Sequence, residues 1–306
     1  FLEEHGGNSI AGGGRRAGRG GRIVRRPPTA SGNAARWEGR GPRAGHAAAQ
    51  EDDPHAVARL AGRYEAAWKR VAPVADRLGD ELLRVLVPRR RMRWSGGHAS
   101  GPRLEIRRAM QCEADPRQAQ TLWSRPLLPH RCDPAVTLLV DRSSSMREGS
   151  LIDRALEGTV LLVEVCRRIG VASSVWSFAR ETSRDVGWDD PLDMAARSRI
   201  GSLPALCGGS TGMAAALAIV GREFAMRSGD PKLLFVIGDG EPDDQAATLA
   251  AAGRLATEGV ITIGLGLGEG TAGLARYFER SVVGIAPEAL VDHLAGLLAE
   301  SLLEGA

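Results

Sequence analysis

The stretch Ala135–Met146, AVTLLVDRSSSM, constrains the fold of this chain more than any other. Val136, Leu138, Leu139 and Val140 make a nearly continuous apolar run of strand length. A strand covered on both faces reads this way, and such strands belong to parallel sheets. The run stops at Asp141, and Ser143 and Ser145 follow at alternate positions. In an extended or gently turning loop that spacing puts three oxygen-bearing side chains on one side. Hard oxygens at the C-terminal end of a strand suit Mg²⁺, which takes oxygen ligands and keeps several waters. An Asp capping a helix after a Ser-rich turn fits the same letters.

The chain has 306 residues, room for one large α/β domain and an appendage. Its formal net charge is only +3, so composition does not demand a polyanionic partner. The imbalance is local: residues 1–50 carry nine Arg against three Glu. The four cysteines, Cys112, Cys132, Cys166 and Cys207, form no CxxC pair, which indicates neither a zinc site nor a dithiol motif. Scattered thiols fit a reducing compartment. No apolar run reaches the roughly 18 residues of a membrane span, and the N-terminus lacks the apolar core of a signal peptide. The chain begins at Phe1, which fits a fragment or a processed product. These features set the expectation of a bacterial, cytoplasmic protein.

Three regions follow. Residues 1–50, rich in Gly, Arg, Ala and Pro, read as a disordered tail. Its GRGGR run could hold RNA or an acidic partner, and a solvated tail explains it more simply. Residues 51–133 read as a helical segment and linker. Apolar residues at helical spacing over 54–87 predict two helices, broken at Pro73. Arg89, Arg90, Arg91 and Arg93 around Trp94 resemble a nucleic-acid patch. Cations at the end of a helix are the commoner explanation. Residues 95–133 read as a linker with one short strand or turn near Leu104 and Ile106. From 134 to 306 the pattern alternates. Strands are expected at 135–140, 172–178, 233–237, 260–265 and 281–285. Helices are expected at 149–169, 212–227, 244–258, 272–279 and 287–303, the third capped by Asp243 or Asp244. Residues 180–210 read as irregular. Alternation of this kind means a mostly parallel sheet flanked by helices, and ligands bind such sheets at the C-terminal strand ends.

Three segments converge there: Asp141 to Ser145, the loop Gly208-Gly209-Ser210-Thr211, and Asp239 after the apolar strand 233–237. Thr211 is the better ligand candidate of its loop, and Ser210 the alternative, since Met213 and Leu217 continue at helical spacing. DxSxS after an apolar strand, GGSTGM, and a strand ending in IGDGEP together resemble a von Willebrand factor A (VWA) domain. The resemblance implies a Rossmann-like fold and a metal-ion-dependent adhesion site. Asp141, Ser143, Ser145, Thr211 and Asp239 fall on its five metal positions. Ser143 and Ser145 would bind Mg²⁺ (or Mn²⁺ or Ca²⁺) directly, and Thr211 and the two carboxylates directly or through water. An Asp or Glu of a partner protein would complete the shell. Within the family the chain is similar to the bacterial branch that works beside AAA+ ATPases. The cobaltochelatase T subunit and nitric-oxide-reductase activation protein D belong there, on the LEIRR segment and the tail GVITIGLGLGEG. It departs from many relatives in reading DRSSSM for DxSGSM.

The resulting expectation is a docking or accessory subunit, not catalytic by itself, partnered by a separate AAA+ ATPase. The chain carries no GxxxxGK[ST] of its own. One alternative is a Mg²⁺-dependent phosphatase or hydrolase using Asp141. Against it, none of the three loops holds a His or Lys to serve as acid or base. The other alternative is nucleic-acid binding through the Arg-rich segments. Trp176, Phe178, Cys166 and Cys207 read as core residues, and Trp188 as a loop anchor.

Overall fold

The computed structural model describes residues 22–25, 53–86, 93–127 and 133–286, with residues 289 and 293. Arg89, Arg90, Arg91, Cys132, most of the expected final helix and nearly all of residues 1–50 lie outside the described residues.

A seven-stranded sheet forms the centre. Its strands are β1 (Arg22–Arg25), β5 (Ala135–Asp141), β6 (Ala172–Phe178), β7 (Thr182–Val186), β8 (Lys232–Ile237), β9 (Val260–Leu267) and β10 (Arg280–Ile285). They are ordered β1-β10-β9-β8-β5-β6-β7. The β10, β9, β8, β5 and β6 strands run parallel, and β1 and β7 add antiparallel edges. So one strand lies within the tail that composition marks as disordered. The β5 strand is buried at every residue. Val136, Leu138 and Val140 enter one core, and Ala135 and Leu139 the other. The chain leaves β5 toward β6 and returns to β8 on its other side. The carboxyl ends of β5 and β8 therefore flank the switch point of the sheet.

On one face lie α1 (Pro54–Leu86), α3 (Leu151–Ile169) and α4 (Met194–Gly201), and on the other α5 (Met213–Met226) and α6 (Gln245–Thr257). The α3 helix stops at Gly170, whose φ of 70° lets its N–H reach back to the Arg167 and Cys166 carbonyls. The expected break at Pro73 does not occur, and α1 runs through it as one 33-residue helix. The reason is the face on which Pro73 sits. Pro73 and Lys69, whose carbonyl loses its intrahelical donor, are both exposed, so water can satisfy that carbonyl. The opposite stripe, Tyr64, Ala67, Val71, Ala75 and Leu78, is fully buried in the domain core and anchors the helix on both sides of Pro73. Polar links reinforce it. Tyr64 donates to Glu164 at 3.1 Å, Arg70 meets Glu157 at 2.5 Å, and Arg197 meets Glu65 at 2.5 Å.

Two stretches are more ordered than their sequence suggests. In place of a linker, residues 93–127 form a three-stranded antiparallel sheet of β2 (Arg93–His98), β3 (Arg103–Leu104) and β4 (Trp123–Leu127), with α2 (Ile106–Ala114) between β3 and β4. In place of an irregular segment, residues 180–210 contain β7 and α4. No described helix is long and apolar enough to cross a membrane.

Candidate metal centre

Three loops meet at the carboxyl ends of β5 and β8. The first continues β5 and is fixed on both sides. The Arg142 N–H donates to the Phe178 carbonyl at 2.8 Å, and the Arg142 carbonyl accepts from Gly208 at 2.7 Å. Ser144 donates through both its N–H and its hydroxyl to the Gly209 carbonyl, each at 3.1 Å. Cys207 donates its thiol to the Ser143 carbonyl at 3.0 Å, and the Arg147 guanidinium donates to the Cys207 carbonyl. The GG loop is thus bonded to the DRSSS loop along its length. Gly209 has φ 92°, a left-handed conformation that glycine adopts without steric cost.

Within this frame Asp141 is fully buried and Ser143 almost so. The Asp141 Oδ1 accepts the Ser143 N–H at 2.8 Å, while Oδ2 is buried with no hydrogen-bond partner. The Ser143 and Ser145 hydroxyls lie 3.0 Å apart. That contact puts Ser143 and Ser145 on one side of the loop, and an Asp141 helix cap is not what forms: a 3₁₀ turn over Ser144–Ser150 precedes α3. Thr211 is buried and Ser210 exposed. A pair of hydrogen bonds clamps Thr211: its N–H donates to Asp243 Oδ1 at 3.0 Å, and its carbonyl accepts the Asp243 N–H at 3.1 Å. Asp239 is also buried, and its Oδ1 accepts the Glu241 N–H at 3.2 Å.

The electrostatics are those of a site short of positive charge. Burial pushes the Asp141 carboxyl up to about 7, and the nearby carboxylates of Asp239 and Asp243 add to that. The bonds from Ser143 pull the other way. Two buried carboxylates and neighbouring hydroxyls, one carboxylate oxygen lacking any donor, form a hard oxygen set that a divalent cation would satisfy. Among the described residues no three His, Cys, Asp or Glu side chains gather as a metal cluster, here or elsewhere. The set here depends on hydroxyls for the balance of its donors.

Three residues of the site are not evident in the sequence. A side chain at Gly238 would begin 2.8 Å from the Asp141 Cβ, so glycine there lets β8 pass the carboxylate. Gly240, at φ 82°, would place a side chain 2.0 Å from the Leu274 nitrogen. Asp243 is a clamp on Thr211, and the cap of α6 falls to Asp244, which accepts the Ala247 N–H at 2.9 Å. Only the density of carboxylates after IGDG hinted at these roles. Trp188 anchors its loop as expected, edge-on to Phe224 with centroids 5.7 Å apart.

Behind the first loop lies a second buried carboxyl. Asp185 on β7 is 5% exposed and its Oδ2 has no partner. Burial pushes it up to about 7, against the opposing influence of the Ser177 hydroxyl, Arg142 and Arg199. A folded-state value above the unfolded 3.8 means that stability is full below about 4 and falls as pH rises through 7. We expect Asp185→Asn to remove that fall, recovering on the order of 4 kcal/mol at pH 8 and little at pH 4. Urea unfolding of both proteins at the two pH values measures it.

A mostly parallel sheet with hydroxyls and carboxylates gathered at its switch point defines an α/β domain of Rossmann-like architecture with a candidate cation site. The von Willebrand factor type A domain model matches residues 135–276, and this part of the chain is a VWA domain. No curated protein matches the chain in sequence. Among solved structures the chain is similar to the manganese-loaded TRAP protein of Plasmodium vivax, at 20% identity and a TM-score of 0.39. That alignment covers 47% of this chain and 61% of the other. BatB of Bacteroides thetaiotaomicron is 18% identical, with a TM-score of 0.41 over 53% of this chain and 98% of that one. Proximal thread matrix protein 1 from the mussel byssus, with a zinc-occupied MIDAS motif, is 18% identical, with a TM-score of 0.42 over 56% of this chain and 46% of its own.

Proposed function

We propose that this chain is a metal-dependent docking module. Asp141, Ser143, Ser145, Thr211 and Asp239 would hold a divalent cation, and an Asp or Glu of a partner protein would complete its shell. The observation that carries the reading is the buried, donor-less Oδ2 of Asp141 behind the paired Ser143 and Ser145 hydroxyls. The ion would supply positive charge and an open coordination position. The chain's own residues would fix its place, keep water from the buried side and leave the outer side to the partner. Mg²⁺ suits the all-oxygen set, as do Mn²⁺ and Ca²⁺. A carboxylate that must shed water to reach the site makes docking selective as well as metal-dependent.

The partner in this reading is a separate AAA+ ATPase in a cytoplasmic complex for metal insertion or enzyme activation, of the cobaltochelatase kind. It rests on the likeness of sequence to that branch and on the want of a P-loop motif in this chain. A hydrolytic role for Asp141 gains no support, because the side chain is fully buried and faces no His or Lys from its three loops. The test is affinity capture from the source cell extract, with Mg²⁺ and with EDTA, followed by crosslinking and mass spectrometry. An AAA+ subunit is expected in the Mg²⁺ eluate, crosslinked near residues 143–147 or 208–211, and absent with EDTA. The same proteins captured under both conditions would end this reading.

A further inference from the structure

We propose that Asp185, on the edge strand β7, is a positioning residue for the metal centre, holding the DRSSS loop from behind through two serine hydroxyls and Arg142. The inference rests on the metal-dependent docking role above and adds to it a residue from outside the three loops.

The connection is continuous. Arg142 stands between the candidate ligands Asp141 and Ser143. Its side chain reaches the β6–β7 hairpin, where Nη2 donates to Ser183 Oγ at 3.4 Å. Ser183 and Ser177 are register partners on β7 and β6, and their hydroxyls lie 3.1 Å apart. The fully buried Ser177 hydroxyl bonds in turn to the Asp185 carboxyl. The two ends fix the direction of these bonds. A guanidinium only donates, and a carboxylate only accepts. Ser183 therefore accepts from Arg142 and donates to Ser177, and Ser177 donates to Asp185. With a cation at one end and an anion at the other, each bond polarises and strengthens the next.

The strand is shaped to deliver this carboxyl. Across β6, Val175 pairs with Val186 and Trp176 with Arg184, which leaves Asp185 as an extra residue. A bulge of this kind re-aims a side chain, and here Asp185 and Val186 are buried in succession. Arg199 of α4 secures the bulge, its Nε donating to the Asp185 carbonyl at 2.6 Å. Two buried atoms beside the chain have no hydrogen-bond partner, Asp185 Oδ2 and Arg142 Nε. Packing alone does not call for a carboxyl there, since a buried charge without a direct partner costs stability. Its use lies in the loop. Holding Arg142 fixes the main chain between two ligands, whose other anchors are the Phe178 carbonyl and the Gly208 N–H.

Mn²⁺ titrations of the full chain at pH 8, followed by the electron paramagnetic resonance of free Mn²⁺, test this. An amide at position 185 donates as well as accepts, so the direction of the chain is lost. Asp185→Asn and Ser183→Ala are each expected to weaken Mn²⁺ binding about tenfold. The double variant is expected to be no weaker than the weaker single, since both changes break one chain. Arg184→Ala, on the other face of β7 over the Trp176 ring, leaves binding unchanged. Urea unfolding without metal separates positioning from folding: Asp185→Asn loses affinity while gaining stability at pH 8. Ser183→Ala removes no charge and decides the matter alone if Asp185→Asn folds poorly. Native affinity in either single variant, losses that multiply in the double variant, or an equal loss in Arg184→Ala overturns the role of Asp185 and leaves the metal centre standing. A native chain that takes up no Mn²⁺ overturns both.

Discussion

Replacing Asp141 by Asn is expected to abolish the stabilisation of this domain by Mg²⁺ or Mn²⁺ while leaving the fold in place. The side chain is fully buried, with Oδ1 holding the Ser143 N–H at 2.8 Å. An amide oxygen can accept the same bond, so the loop keeps its shape. What the amide removes is the negative charge on an oxygen without a donor. Metal at one hundred times its dissociation constant should stabilise the native chain by about 2.7 kcal/mol and the variant by none. Thermal unfolding with and without metal measures both quantities. An equal metal-induced shift in the two proteins would remove Asp141 from the site.

Leu78→Ala is expected to destabilise the VWA domain itself, although Leu78 lies outside the stretch that matches the family. The side chain is fully buried and shares one core with Leu161, Val165 and Leu138. Truncating a buried leucine costs about 3 kcal/mol in transfer and cavity energy. For a domain of this size that lowers the melting temperature by roughly 10 °C. Asp80→Ala, on the exposed side of α1, should have almost no effect. Calorimetry distinguishes the cases. One transition, moved down by Leu78→Ala, means that α1 and the sheet unfold together. Two transitions, only the smaller one moved, would make α1 an accessory.

Where the sequence was informative, burial on both faces made it so. The β5, β8 and β9 strands are nearly continuous apolar runs because helices cover each side of the sheet. As candidates, Asp141, Ser143, Ser145 and Asp239 stood out because they end or follow such strands, and Thr211 because it closes a Gly-Gly loop ahead of α5. The β7 strand was not, since an antiparallel edge reading TSRDV keeps polar residues. Nor was α4. It buries Ala196, Ser198 and Gly201 because α1 approaches so closely that a side chain at Gly201 would meet the Leu60 carbonyl at 2.1 Å. Small residues chosen for close approach carry no apolar period. The β2 and β4 strands contain SGG and a proline, letters that read as a linker until they are paired. The roles of Gly238 and Asp243 arise from segments distant in the chain, and only the folded contact reveals them.

The most direct measurement is anomalous diffraction from crystals grown or soaked with Mn²⁺, collected at the manganese edge. The account expects one strong peak within bonding distance of the Ser143 and Ser145 hydroxyls, between the carboxyls of Asp141 and Asp239. It also expects the peak to vanish in Asp141→Asn crystals treated identically. A native crystal with no peak there, or with its peak elsewhere on the molecule, would contradict it.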